Sequence, residues 1–383
     1  MKYFISAGEA SGDIHGAPLM RSLREIDPEA QFTYLGGDEM TAAASESAPG
    51  SAPLIHYRDM AFMAFSEVLR HLGKIFGNLK KAKNAISEDR PDALILIDYP
   101  SFNLKLAAHA HALGIPVYYY ISPKVWAWKE WRVKSIRRHC RKVLSILPFE
   151  VEFFRSHGME VEYVGNPSVE EVERREAVLP GRDEFVRRNG LETDKPILAL
   201  VPGSRVGEIR NNLPIMDAVA RRFPQLQPVV AGAPAIDPEL YTAYSGYPVV
   251  EGATFELIRN SACALVTSGT ATLETALLGT PQVVCYRANG SRLSYNIMKR
   301  LLKCKWVSLP NLIADKEIVP EMLVHLCTED AVAAELSKII PGAPGRDEMM
   351  RGYARMRGRL GTSQAPAKAA AAILADLRTT TDY

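Results

Sequence analysis

The side chains in this sequence best suited to chemistry stand at the ends of apolar runs. In LILIDYPSFNLKL, Asp98 follows a strand-like run directly, where a carboxylate can take the proton from an attacking hydroxyl. A helix cap or a structural strand-end aspartate would read the same way. In LVTSGTATLETALLGTPQVVCY, a strand leads into Ser268-Gly269-Thr270 and then a helix opening near Ala271. Such a turn exposes backbone N–H groups to a pyrophosphate, and the helix dipole favours the same anion. The alternative is a tight turn in which Ser and Thr serve only as caps. Glu274, one helical turn inside, is placed to accept hydrogen bonds from ribose hydroxyls, unless it is simply solvated. A second turn, Pro202-Gly203-Ser204-Arg205, follows another strand, and Arg205 can grip phosphate with two parallel hydrogen bonds. Glu208 and Arg210 beyond it could pair with each other.

The first strand ends in GEASGD, which supplies Glu9, Ser11 and Asp13 for orienting an acceptor sugar, with Asn103 as a further candidate. His15 has no companion ligands and reads as structural. No GxxxxGK[ST] motif occurs, and the Gly8, Gly12, Gly16 spacing is not GxGxxG, so neither a P-loop enzyme nor a dinucleotide dehydrogenase is indicated. No DxD-like cluster lies near the phosphate turns, and no metal is expected.

These residues need strands and helices to hold them. Short apolar runs at 3–7, 93–97, 117–121, 143–147, 197–201, 228–231, 264–266 and 282–286 alternate with longer amphipathic stretches. That pattern indicates parallel sheets covered on both faces, an α/β class of two doubly wound, Rossmann-like domains facing a cleft. The expected division is 1–166, 167–345 and a closing helical segment 346–383. Residues 168–188 read as a polar connection.

The chain has 383 residues, 47% hydrophobic and 23% charged, with a net charge of +2, values of an ordinary globular protein with no overall pull toward nucleic acid. Five scattered cysteines without a CxxC pair suggest neither disulfides nor zinc, and point to a reducing cytoplasm. No signal peptide and no membrane-spanning run is evident. Two stretches could instead rest on an anionic membrane surface. Phe65, Leu69, Leu72 and Phe76 recur at helical spacing beside lysines and arginines, although the residues alone slightly favour a core-packed helix with a basic edge. Trp126, Trp128 and Trp131 stand next to Arg132 and a basic run, a grouping suited to a lipid headgroup or an acceptor phosphate.

Taken in order, GEASGD (8–13), IDYPSFN (97–103), SPKVWAW (122–128), LPFE (147–150), PGSR (202–205), SGTATLE (268–274) and VSLPNL (307–312) resemble the lipid-A-disaccharide synthases, glycosyltransferase family 19. The resemblance runs over nearly the whole chain. It implies a GT-B fold and transfer from UDP-2,3-diacylglucosamine to 2,3-diacylglucosamine 1-phosphate, with UDP leaving and a β-1,6 disaccharide forming. It further implies acceptor and lipid on 1–166, the nucleotide sugar on 167–345 and segment 346–383 packing back on the first domain, with UDP contacts at Ser204, Arg205, Thr270, Ala271, Glu274 and Asn311 and an essential aspartate at Asp98. Peripheral attachment to the inner face of the cytoplasmic membrane and an intertwined homodimer are also expected from it. Members of that family often carry a second acidic residue where this chain has Ser101, so any carboxylate role there falls to Asp98 or is absent. A UDP-sugar 2-epimerase and a non-catalytic nucleotide-sugar or lipid-binding protein are the competing readings.

Overall fold

A computed structural model describes residues 1–60, 72–127, 129–234, 236–287, 305–362 and 364–381. Among these, the first α/β unit contains strands β1 (Lys2–Ala7), β2 (Gln31–Gly36), β3 (Ile55–His56), β4 (Ala93–Ile97), β5 (Val117–Tyr120), β6 (Lys142–Ser145) and β7 (Val161–Tyr163). They form one parallel sheet in the order β3-β2-β1-β4-β5-β6-β7. Its helices are α1 (Ala10–Ile26), α2 (Asp38–Ser45), α3 (Leu72–Asp89), α4 (Pro100–Ala112), α5 (Val133–His139) and α6 (Pro148–Ser156).

Every residue of β4 is buried because helices cover both faces of the sheet. Leu94 and Leu96 pack with Phe4, Val117 and Tyr119 on one side. Ala93, Ile95 and Ile97 pack with Tyr3, Ile5, Tyr118 and Tyr120 on the other. Burying each large aliphatic side chain in this way contributes roughly 1.5–3 kcal/mol.

The second unit repeats the plan with β8 (Ile197–Val201), β9 (Gln227–Gly232), β10 (Val249–Glu251), β11 (Cys263–Thr267), β12 (Gln282–Tyr286) and β13 (Glu321–Leu323), in the order β10-β9-β8-β11-β12-β13. The expected polar connection at 168–188 is helical instead, forming α7 (Pro167–Glu176) and α8 (Arg182–Arg188). Then come α9 (Val206–Ala220), α10 (Pro238–Thr242), α11 (Thr254–Arg259), α12 (Thr270–Leu277), α13 (Leu309–Ala314), α14 (Glu329–Ser337) and α15 (Gly345–Leu360).

The last helix, α16 (Ala365–Thr381), belongs to the first unit and packs on α1, with Ala369, Ala370, Ile373 and Leu377 in that unit's core. Asp376 anchors it, accepting a hydrogen bond from the Tyr118 hydroxyl at 2.5 Å and pairing with Arg141. The boundary differs from the expected 345/346: the second unit extends to Gly361, and α15 stays with it. Arginine-rich α15 hides an apolar stripe of Met349, Tyr353, Met356 and Leu360, all buried, and the Tyr353 hydroxyl donates to the Thr280 carbonyl at 3.2 Å.

Candidate functional site

Each sheet reverses its strand order at one place, between β1 and β4 in the first unit and between β8 and β11 in the second. The carboxyl ends of strands at such a switch point are where open α/β sheets bind ligands. In the first unit that position brings Gly8 and Glu9 beside Asp98, since Ala7 is in register with Ile97.

Asp98 and Tyr99 both adopt left-handed backbone conformations, with φ of 43° and 47°. For non-glycine residues each costs of order 1–3 kcal/mol, so the surroundings must hold the turn. The Asp98 N–H donates to the Ile121 carbonyl at 3.0 Å. The Asp98 carbonyl accepts from Tyr119 Oη at 2.7 Å and from Asn103 Nδ2 at 2.8 Å. The Tyr99 ring lies over Gly8, where any Cβ would run into it, and its hydroxyl donates to the Met60 carbonyl at 2.7 Å. The Asp98 side chain is reached by solvent at the rim. Even so, the surrounding protein and the nearby Glu9 carboxylate push its carboxyl above the usual aspartate range, against the opposing pull of Lys124. A carboxylate of raised pKa is a stronger base.

The four acceptor candidates divide two and two here. Glu9 caps α1 and is half-buried, and Ser11 is exposed. Asp13 is buried and faces inward: its carboxylate accepts from the N–H groups of Gly37 at 2.6 Å, Glu39 at 3.0 Å and Met40 at 3.1 Å, holding the start of α2. It therefore orders the fold rather than meeting a sugar. Asn103 is likewise fully buried and accepts from Ser6 Oγ at 2.7 Å, so the expected sugar contact gives way to an internal one.

In the second unit, Val201 is in register with Val266, which sets the PGSR and SGT turns side by side. Gly269 has φ 152° and ψ −162°, a combination open essentially to glycine alone, and it begins α12 with Thr270 exposed and Ala271 half-buried. Thr267, at the end of β11, was missed in the sequence reading. Its hydroxyl is buried and has no hydrogen-bond partner among the described residues. Ser268 is half-buried ahead of the helix. Glu274 is desolvated, which raises its carboxyl to about 7, with Arg175 lowering it and Glu171 raising it further.

Arg205 is exposed and caps α9. Glu208 pairs with Arg205 at 3.7 Å rather than with Arg210, and it accepts the Ser204 N–H at 3.1 Å. The Glu208 carboxylate thus sits on the same donors that a phosphate would use. Asn311, expected at the nucleotide, faces inward instead. It is fully buried, accepts from the N–H groups of Ile318 at 2.7 Å and Val319 at 2.9 Å, and donates to the Val319 carbonyl at 2.8 Å and Glu321 at 2.9 Å. Its side chain has no capacity left for a nucleotide, and it closes the 311–321 loop instead.

Of the lipid-facing candidates, Phe65, Leu69 and Trp128 lie outside the described residues, as does the side chain of Leu72. Phe76 is 56% exposed, with Lys105 Nζ 5.5 Å from its ring. The Trp126 indole turns inward, donating to Glu150 at 2.9 Å. Trp131 is exposed, with the Arg132 guanidinium 5.6 Å from the ring. Arg132 also donates to Ser101 Oγ at 3.1 Å. Glu150 is fully buried between Trp126, Ser122 and Ser145, and burial raises its carboxyl to about 7 in spite of those hydrogen bonds. No described helix is long and apolar enough to cross a membrane.

Two parallel-sheet α/β units with switch-point turns of this kind define a GT-B-type protein. Among solved structures, the chain is similar to CalG4, the calicheamicin glycosyltransferase, at 12% identity and a TM-score of 0.58 over 97% of both chains. It is also similar to the UDP-GlcNAc 2-epimerase of Methanocaldococcus jannaschii, at 12% identity and a TM-score of 0.62 over 98% of this chain and 99% of that one. At such identity these neighbours establish the fold alone. The lipid-A-disaccharide synthetase family model matches residues 3–372, and the chain belongs to that family. The lipid-A-disaccharide synthase of Myxococcus xanthus is 43% identical over 97% of each chain. That of Koribacter versatilis is 37% identical over 94% of this chain and 93% of its own.

Proposed function

We propose that the chain condenses UDP-2,3-diacylglucosamine with 2,3-diacylglucosamine 1-phosphate, releasing UDP and the β-1,6-linked disaccharide 1-phosphate in lipid A biosynthesis. What carries this reading is the family match over residues 3–372, in a chain that has both a strand-end carboxylate of raised basicity and a glycine turn opening a helix.

The reaction is a single inverting displacement. Asp98 accepts the proton of the acceptor 6-hydroxyl as its oxygen attacks the anomeric carbon, and the bond to the UDP oxygen breaks on the opposite face. The N–H groups at the start of α12, the Thr267 hydroxyl and Arg205 receive the departing pyrophosphate charge. Arg205 does so by exchanging Glu208 for phosphate. Glu274 holds the ribose. Glu9 and Ser11 orient the acceptor on the first unit, and the donor sits on the second.

No metal has a role in this scheme, and UDP release is expected to proceed unchanged in EDTA. The acyl chains are delivered at an anionic membrane surface on the cytoplasmic side, where exposed Phe76 and Trp131 with the neighbouring Lys74 and Arg132 make peripheral contact. An intertwined homodimer belongs to the same proposal, and light scattering checks it.

Asp98→Ala tests the chemistry. Disaccharide formation is expected to fall at least about 100-fold with UDP binding retained. Product formation at the wild-type rate would remove Asp98 as the base.

A further inference from the structure

The left-handed turn at Asp98 and Tyr99 is held from inside the sheet. Tyr119 lies on β5, next to β4, with its ring in the core and its hydroxyl 2.7 Å from the Asp98 carbonyl. Asn103 approaches from α4. It accepts from Ser6 Oγ, and its Nδ2 lies 2.8 Å from the Asp98 carbonyl, 3.2 Å from that of Ile97 and 3.3 Å from that of Ser6. Both side chains are fully buried. The Asp98 carbonyl thus has both acceptor positions filled by donors that cannot reach a substrate, while its carboxylate stays at the rim.

A neutral strand end would need neither donor, because a carbonyl at the end of a parallel strand ordinarily bonds to water or to the next turn. Here the two donors fix the orientation of a peptide unit that L-residues disfavour, and so fix the direction in which the Asp98 side chain leaves the backbone. We infer that Tyr119 and Asn103 are positioning residues that aim the Asp98 carboxylate. The inference rests on the reading of Asp98 as the base.

The neighbouring residue on the same strand supplies a control. Tyr118 points to the opposite face of the sheet and spends its hydroxyl on Asp376, away from Asp98. Tyr118→Phe and Tyr119→Phe therefore each remove one buried phenol hydrogen bond from β5, and only the second touches the Asp98 turn. Both are measured in the full chain, with steady-state kinetics on both acylated sugars and urea midpoints in parallel.

The expected result for Tyr119→Phe is a kcat lowered about tenfold or more, with KM for both sugars within twofold, since misaiming a base affects the transition state and not substrate binding. Tyr118→Phe is expected to keep kcat within twofold at a comparable loss of midpoint. Equal falls in kcat for the two variants would make the Tyr119 bond merely structural and overturn the inference. So would a Tyr119→Phe enzyme that turns over like wild type while Asp98→Ala is inactive. Wild-type turnover by Asp98→Ala would instead remove the base, and the positioning role with it.

Discussion

Glu150 gives the clearest pH signature at the scale of single residues. Its carboxyl rises from an ordinary glutamate value of about 4.3 to about 7 because the folded chain buries it. An acid whose folded value is raised binds its proton more tightly in the native state, so the stability it contributes is greatest at low pH. That contribution is lost as pH rises from the unfolded value through about 7. The full span corresponds to at most about 4 kcal/mol. Glu150→Gln keeps an oxygen for Trp126 and Ser122 but cannot ionise. Its stability relative to wild type, measured by urea denaturation, should therefore grow between pH 5 and pH 8. A constant difference across that range would contradict a neutral buried Glu150. Glu274 shifts in the same direction. If its carboxylate holds the ribose, KM for the nucleotide sugar should fall as pH rises through about 7, and Glu274→Gln should abolish that trend.

The site was unevenly legible at this scale. Glycine turns and strand-end acids stand out because their role depends on adjacent residues. Asp13, Asn103 and Asn311 were misread because their partners lie far along the chain or in a loop without periodicity: Gly37 and Glu39 for Asp13, Ser6 for Asn103, and the Ile318–Val319 backbone for Asn311. A polar side chain in a motif looks available until those partners are placed. Thr267 was overlooked for the opposite reason, since nothing in the sequence marks a hydroxyl that finds no partner.

Among the elements, the central strands were readable and the edges were not. β1, β4, β5, β8, β11 and β12 are covered on both faces and appear as unbroken apolar runs. β3 has two residues, β7, β10 and β13 have three each, and β2 begins with the half-exposed stretch Gln31–Thr33, so none of them carries such a run. Helix α15 was assigned to the wrong unit because its apolar stripe is diluted by arginines. Two predictions belong to elements. Gly269→Ala forces a side chain onto a glycine-only conformation at the start of α12. It should raise KM for the nucleotide sugar about tenfold, with a stability loss of about 1–3 kcal/mol read from the urea midpoint. Ile373→Ala on α16 opens a cavity in the first unit's core, and chemical denaturation should register about 2–4 kcal/mol without a direct effect on the nucleotide turn.

The whole molecule combines a fold shared by glycosyltransferases and epimerases with membership of the lipid-A-disaccharide synthase family, and the two make different demands on the chemistry. An epimerase needs only the UDP-sugar. A transferase is silent without its acceptor. The net charge of +2 supplies no strong field, so association with anionic vesicles should depend on the local apolar and basic residues around Phe76 and Trp131. Sedimentation with such vesicles should weaken when Trp131 is replaced by Ser. The most direct test of the central claim is the rate at which the purified chain releases UDP from UDP-2,3-diacylglucosamine, measured with and without 2,3-diacylglucosamine 1-phosphate. Release is expected only when the acceptor is present, matched one for one by disaccharide 1-phosphate. Consumption of the UDP-sugar at the same rate without acceptor would contradict it.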